Sequence, residues 1–509
     1  MLKTNKIART ALGLAAATLL GVSTASGQGQ VQPDSSRAEI ITVNGALKTE
    51  QASVLPQDTV KQTVPVPEDQ NLAESKPGSI KSFLQRGKFS GHVRNFFMYT
   101  DNTGDYPDYH ALAMGAGLYY ESAKFHGLQV GAGGFFVFNA FSSDLGTDPQ
   151  TGLNSRYEIG LFDLLDPDDK HDLGRMESLF LRYNYKKSRA TLGRQKVVTP
   201  FLNPQDGRMR PSLVEALWLE VNELEKLRFQ GGWVFGIGPR STQDFFSVEE
   251  SIGSIPVGRS AFGGPSQFRE NISSAGMAVG QLTYMPVSAL KSTLTHYFAE
   301  NLFNFTFSQT DVDLPLSQEK KNALVLGLQA GYQTAAGDGG NEDPLKAYIE
   351  PNAETWLYSG RLGYKTPVFF TSLNYTRIGD GNRWLFPREW GIETFYTFMP
   401  RERLEGTADT RMVSLITDIN LNKRWKARIG YGHADLPDVK NLAQNKYAMP
   451  SYSQLQLMTN YSFQGRLDGL ALQALYIRKG ERGKTYETPN FIVNKVDMSH
   501  LTLVMNYTF

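Results

Sequence analysis

The chain contains no cysteine, which excludes disulfide scaffolds, thiol catalysis and cysteine-ligated zinc or iron–sulfur centres. It also lacks a dominant charge. Its 509 residues carry 52 Lys and Arg against 51 Asp and Glu, a formal net charge of +1. Nucleic-acid binders usually show a basic excess, so no nucleic-acid partner is expected. Beyond residue 27 no apolar run approaches the roughly 20 residues of a membrane-crossing helix. G-x-S-x-G, H-E-x-x-H and the phosphate-cradling G-x-x-x-x-G-K-[ST] are all missing, and the seven histidines are scattered, which argues against an enzyme. What the chain has in quantity is aromatic side chains, 12% of residues, and 48 glycines. Those rings require an apolar surface that no long hydrophobic segment provides.

Residues 1–27 read as an export signal. Lys3, Lys6 and Arg9 precede the small-residue apolar stretch from Ala11 to Val22, and Ala25-Ser26-Gly27 places cleavage before Gln28. Residues 28–87 are rich in Gln, Ser, Pro and Thr and predict a flexible periplasmic lead-in, with a short helical turn from Ile80 to Leu84.

From Phe89 onward the pattern has period two. Phe303, Phe305 and Phe307 alternate with Asn304, Thr306 and Ser308, and Trp425, Ala427, Ile429 and Tyr431 alternate with Lys426, Arg428 and Gly430. At the end of the chain Leu501, Leu503, Met505, Tyr507 and Phe509 share one face, with His500, Thr502, Asn506 and Thr508 on the other. Alternation over about 9–11 residues suits a tilted strand that crosses a bilayer with one face to lipid and one to water. A final amphipathic strand ending in Tyr-x-Phe, after an export signal, points to the outer membrane of a Gram-negative bacterium.

A barrel with both ends in the periplasm must alternate short turns with long extracellular loops. That rule predicts strands near 88–100, 110–122, 126–139, 175–186, 188–197, 211–222, 227–238, 274–285 and 290–299. It continues with strands near 302–311, 321–333, 354–365, 368–378, 410–422, 424–434, 451–463, 468–478 and 498–509. Residues 88–509 are therefore expected to form an all-β, antiparallel transmembrane barrel of about 18 strands, and one misread pair would give 16 or 20. Parity leaves Ile392 to Phe398 in a loop. A barrel this wide keeps an aqueous lumen unless loops fill it.

With the apolar set facing lipid, Arg94, Arg182, Arg228, Arg361, Lys365, Arg424, Lys426 and Arg428 line the lumen, against the acids Glu121 and Asp418. Such a lining attracts anions. Arg194 and Arg377 fall on ambiguous parity. His92 and His500 lie on the polar faces of the first and last strands, which close against each other, so the pattern admits a lumenal histidine pair. No cofactor is expected. The acids of loop 140–174 (Asp144, Asp148, Glu158, Asp163, Asp166, Asp168, Asp169 and Asp172) offer oxygen ligands to divalent cations bridging lipopolysaccharide.

The run from Thr191-Leu192-Gly193-Arg194-Gln195 through Thr199-Pro200 to Asp206-Gly207-Arg208-Met209-Arg210-Pro211 resembles the OprD family of outer-membrane porins, as does the opening Gly91-His92-Val93-Arg94-Asn95-Phe96-Phe97. The resemblance spans about residues 80–509. It implies a monomeric 18-stranded barrel that passes small carboxylates or amino acids, with the third and seventh extracellular loops folded inward and an arginine ladder at the eyelet. Carried onto this chain, the eyelet residues are Asp206, Arg208 and Arg210 in the third loop. In the seventh, 379–409, they are Arg383 and Arg388, among Trp384, Phe386 and Trp390. The partners expected are outer-membrane lipid, lipopolysaccharide and small solutes, and the chain is a monomer or homotrimer. A loop-plugged barrel serving as adhesin or scaffold is the alternative, and ion conductance separates the two.

Overall fold

The structure is a computed structural model that describes residues 80–509 apart from 172, 206, 256 and 317–320. The export signal, most of the polar lead-in and the eyelet candidate Asp206 lie outside the described residues. Helix α1 (Ile80–Gln85) docks beneath the first periplasmic turn, where the Tyr120 hydroxyl donates to the Leu84 carbonyl at 2.6 Å.

Eighteen long strands follow. They are β1 Lys88–Asn102, β2 Tyr109–Glu121, β3 Leu128–Ser142, β4 Leu173–Tyr185, β5 Ser188–Gln195 and β6 Leu213–Val221. Next come β7 Leu227–Gly238, β8 Met277–Val287, β9 Leu290–Ala299, β10 Phe303–Pro315, β11 Ala323–Ala335 and β12 Glu354–Lys365. The last six are β13 Phe369–Ile378, β14 Thr410–Asn420, β15 Trp425–Asp435, β16 Tyr452–Ser462, β17 Leu470–Glu481 and β18 Met498–Thr508. Each pairs antiparallel with its chain neighbours, and β1 also pairs with β18 from His92↔Thr508 to Asn102↔Met498, which closes the barrel. Closure leaves no unpaired edge, the condition for a sheet in hydrocarbon. The expected count of eighteen matches these strands. A further two-residue strand, Phe246–Ser247, extends the β7 edge inside loop 239–276 without joining the wall.

The outer surface is where the rings go. On β12, Trp356, Tyr358, Leu362 and Tyr364 point outward and are exposed, while Thr355, Leu357, Ser359 and Arg361 alternate with them on the buried face. Leu501, Leu503, Met505 and Tyr507 occupy the same outward position on β18. Aromatic rings flank an aliphatic band, as a bilayer requires.

One strand inverts the expected pattern. Phe303, Phe305 and Phe307 of β10 face the interior, at 0%, 0% and 1% exposure, and Asn304, Thr306 and Ser308 face out. Cross-strand register fixes this, since Phe305 lies opposite Tyr297 of β9 and Gln333 of β11, both buried inward residues. Alternation distinguishes two faces without saying which is inside. Here inward-folded loops supply an apolar partner within the barrel.

Candidate functional site

Loop 3 (196–212) and loop 7 (379–409) enter the barrel and meet there. Phe201, Tyr297, Phe303, Phe305, Phe307, Trp384, Phe386, Trp390 and Phe395 form one buried aromatic cluster, with Phe201 at its centre. Each ring removes about 150–250 Å² from water, and this burial is what draws loop 7 inward. Backbone polar groups are satisfied along the way. Asn203 accepts from the Ile392 amide at 3.0 Å and donates to the Ile392 carbonyl at 2.8 Å. Wall glutamines then carry the rest of loop 7: Gln333 donates to Leu385, Gln329 to Thr394 and Gln454 to Pro400. The loop thus spans the interior from β11 to β16.

Most of the wall cations are paired. Arg182 pairs with Glu121 at 2.7 Å, Arg189 with Glu220 at 2.8 Å, Lys365 with Asp313 at 3.0 Å, and Arg428 with Asp418 through bonds of 2.6 and 3.0 Å. All these residues lie toward the periplasmic ends of their strands. The expectation of only two clear lumenal acids is therefore corrected, because Glu177, Glu220, Asp311 and Asp313 also face inward. Tyr119 donates to Glu177 and Tyr396 to Asp311. Arg361 is buried with its guanidinium 4.0 Å from the Tyr396 ring centre. Arg228 and Lys426 face inward and are exposed, whereas Arg424 sits in a periplasmic turn rather than on the wall. The two ambiguous arginines face outward: Arg194 pairs with Glu215 at 2.6 Å and Arg377 with Asp409 at 2.5 Å.

Higher in the barrel the charges are arranged differently. Arg94 of β1 donates to the Arg208 carbonyl at 2.8 Å and so fixes loop 3 to the wall. Arg208 is buried beside Arg401, Arg403 and Arg240, the last brought in by loop 4 (239–276). Burial first, then the charge of Arg401, pushes the Arg208 guanidinium down to about 9. Arg240 is driven well below its ordinary value by burial and then by Arg208, Arg403 and Arg401. Arg210 is 1% exposed, and neither of its terminal nitrogens has a hydrogen-bond partner among the described residues. Loops 3, 4 and 7 thus bring guanidinium groups together in a way that favours an incoming negative charge, with Glu158 the acid nearest Arg208 and Glu393 the acid nearest Arg403.

The other eyelet candidates have structural partners. Arg388 binds Glu405 at 2.6 Å with its guanidinium 3.6 Å from the Tyr447 ring centre, and Arg383 pairs with Glu350 and donates to the Arg259 carbonyl. Both hold loop 7 in place. Arg240, Arg401 and Arg403 did not emerge from the sequence, although the Arg-Glu-Arg run at 401–403 within an aromatic loop was a signal. His92 and His500 are not neighbours. His92 registers with Thr508 and His500 with Thr100, about eight residues or ~27 Å apart along the seam. Among the described acids of loop 2 (143–172), Asp144, Asp148, Asp163, Asp166 and Asp169 accept backbone amides in turns, and Glu158 is buried against Thr100 and Ser155. No three acids or histidines converge as metal ligands among the described residues.

A closed 18-stranded antiparallel barrel has counterparts. A family model described as outer membrane porin, OprD family, matches residues 81–386. This chain belongs to the OprD family. The porin therefore sits in the outer membrane of a Gram-negative bacterium and forms a channel there. No curated relative matches it in sequence. Among solved structures, the Pseudomonas aeruginosa OpdK complex with vanillate is similar at 16% identity and a TM-score of 0.64, covering 84% of this chain and 99% of that one. OccK9 (OpdG) of the same species is 15% identical with a TM-score of 0.66, covering 84% and 99%. Acinetobacter baumannii OccAB4 is 17% identical with a TM-score of 0.63, covering 83% and 98%.

Proposed function

We propose that this porin passes small carboxylate-bearing or zwitterionic solutes by passive diffusion, with a mild preference for anions. The observation that carries the reading is the arginine cluster of Arg208, Arg240, Arg401 and Arg403. A carboxylate entering it relieves mutual repulsion among the guanidinium groups and accepts paired N–H donors in a planar fork. Most charges on the wall below it are paired, so selection falls at the arginine cluster. Vanillate, present with the related OpdK, is a carboxylate and serves as a probe.

The test is the reversal potential of refolded mature porin in a planar bilayer across a KCl gradient. Chloride preference, reduced in the Arg208→Ala/Arg210→Ala variant, supports the reading. Potassium preference discards the charge assignment and keeps the porin. Absence of conductance from folded protein replaces the channel with a loop-plugged scaffold.

A further inference from the structure

A buried chain of side chains crosses the seam where the barrel closes. His500 of β18 lies opposite Thr100 of β1, both facing inward, and Thr502 is the next inward position on β18. Arg401 of loop 7 donates from Nη2 to Thr502 Oγ1 at 2.6 Å, and that oxygen is 3.1 Å from His500 Nε2. On the other side of the ring, His500 Nδ1 is 2.9 Å from Thr100 Oγ1, which donates to Glu158 Oε1 of loop 2 at 2.5 Å. Ser155 donates to the second oxygen of Glu158 at 2.8 Å. Glu158 Oε1 is itself 3.7 Å from Nδ1, so the Thr100 hydroxyl bridges the two. Thr100, Glu158, His500 and Thr502 are all fully enclosed by protein. Tyr157 also faces the imidazole, with ring centres 5.0 Å apart, but its hydroxyl donates to the Asn494 carbonyl at 3.1 Å. Arg208 and Lys479 are the other charges nearby.

The ends of the chain fix its direction. A guanidinium only donates, and a hydroxyl has one proton to give. Thr502 accepts from Arg401 and sends its own proton to Nε2, which is therefore bare. The neutral ring then carries its proton at Nδ1 and gives it to Thr100, whose proton goes to Glu158. In the other tautomer Arg401 and Nε2 would both donate to Thr502, and the Thr502 proton would have no acceptor among the described residues. Glu158 would also have to donate to Thr100. A doubly protonated ring meets the same obstacle at Thr502, and a buried donor without an acceptor is disfavoured.

We propose that His500 is a positioning residue, held as the Nδ1–H tautomer, which relays hydrogen bonding between Glu158 and Arg401 and so keeps Arg401 beside Arg208. Hydroxyls occupy both oxygens of Glu158, so the acid orients the arginine cluster through the wall without pairing directly with Arg401. The effect on selectivity rests on the anion reading above; the tautomer does not.

The tautomer is read by NMR on refolded porin whose histidine rings carry the heavy nitrogen isotope, with the His500 signals identified by their loss in His500→Gln. The expected result is a proton on Nδ1 and none on Nε2. Glu158→Gln presents an amide that donates to Thr100, so the bias should relax and an Nε2–H population should appear. In planar bilayers Thr502→Val, which keeps the side-chain shape and removes the hydroxyl, should move the reversal potential toward potassium. Thr502→Ser should restore the wild-type value, and unboiled gel mobility checks that both variants are folded. Potassium preference in the wild type would discard the anion reading alone, since the tautomer and the difference between Val and Ser are read separately. The proposal is overturned if His500 carries its proton on Nε2 or on both nitrogens, if Glu158→Gln leaves the tautomer unchanged, or if the folded Val and Ser variants give the same reversal potential.

Discussion

Lys479 of β17 donates to Glu402 of loop 7 at 2.8 Å, and neither side chain is more than 2% exposed. Arg156 of loop 2 reaches the other oxygen of Glu402 at 2.8 Å, so one carboxylate joins two loops to the wall. Burial alone would raise this carboxyl, but the charges of Arg156 and Lys479 hold it down to about 2. Removing one partner of a buried pair strands the other, at about 3–5 kcal/mol. Lys479→Met and Glu402→Gln should each lower the urea midpoint of the folded gel band. The double variant should lose less than the two single losses added. Strict additivity would mean the pair is not coupled.

Gly391 lies where loop 7 crosses loop 3, and a Cβ there would overlap the carbonyl oxygen of Phe201, a backbone atom that cannot swing aside. Gly391→Ala should push the loops apart, loosen the aromatic cluster and raise both conductance and channel noise. Wild-type traces from this variant would show that the contact is not needed.

Phe305 packs against Phe201, Tyr297, Trp384 and Phe386 inside the barrel. Phe305→Ala should destabilise the porin by about 3–5 kcal/mol, whereas truncating a lipid-facing side chain such as Leu415 leaves no internal cavity. Urea titration of the two variants side by side would separate an inward Phe305 from an outward one, for which equal losses are expected.

Glu393 of loop 7 is buried and accepts the amides of Leu404 at 2.6 Å and Glu405 at 3.2 Å. Burial pushes its carboxyl up to about 8. A folded-state value above the unfolded one means that its contribution to stability is complete below the ordinary carboxylate range and is lost as pH rises through about 8. Trp384 and Trp390 emission should therefore shift toward that of exposed indole over this window. Glu393→Gln should flatten the slope, and an unchanged slope would assign the titration to another group.

Asp418 binds Arg428 through both oxygens on the inner wall. Asp418→Asn should move the reversal potential toward chloride and Arg428→Ala toward potassium, since each uncovers its partner's charge within a Debye length of about 8 Å. Shifts of the same sign in both variants would remove the pair from the ion path.

The strands were legible because a bilayer imposes both a length and a period on them. Loop parity then settled weak segments such as β10, whose existence was required before its side chains were understood. Its orientation was not legible. The rings of Phe303, Phe305 and Phe307 pack against Trp384 and Phe386, some 80 residues later, and no local pattern carries that information. The same limit applied to charge. Arg182 and Arg428 could be placed on the inner face by counting, but their neutralisation by Glu121 and Asp418 required register. Arg240, Arg401 and Arg403 lie on loops, where no period exists to count.

The seam between β1 and β18 imposes an order in time. His92 and Arg94 find their partner in Asn506, more than 400 positions later in the chain. The ring cannot be completed while the ribosome still holds its last strand, so assembly must follow synthesis and export rather than accompany them. During that interval eighteen amphipathic segments wait with unpaired edges, and loop closure over the whole chain is the slowest contact to form. In an oxidising compartment, a chain without thiols offers nothing by which the waiting state could be trapped.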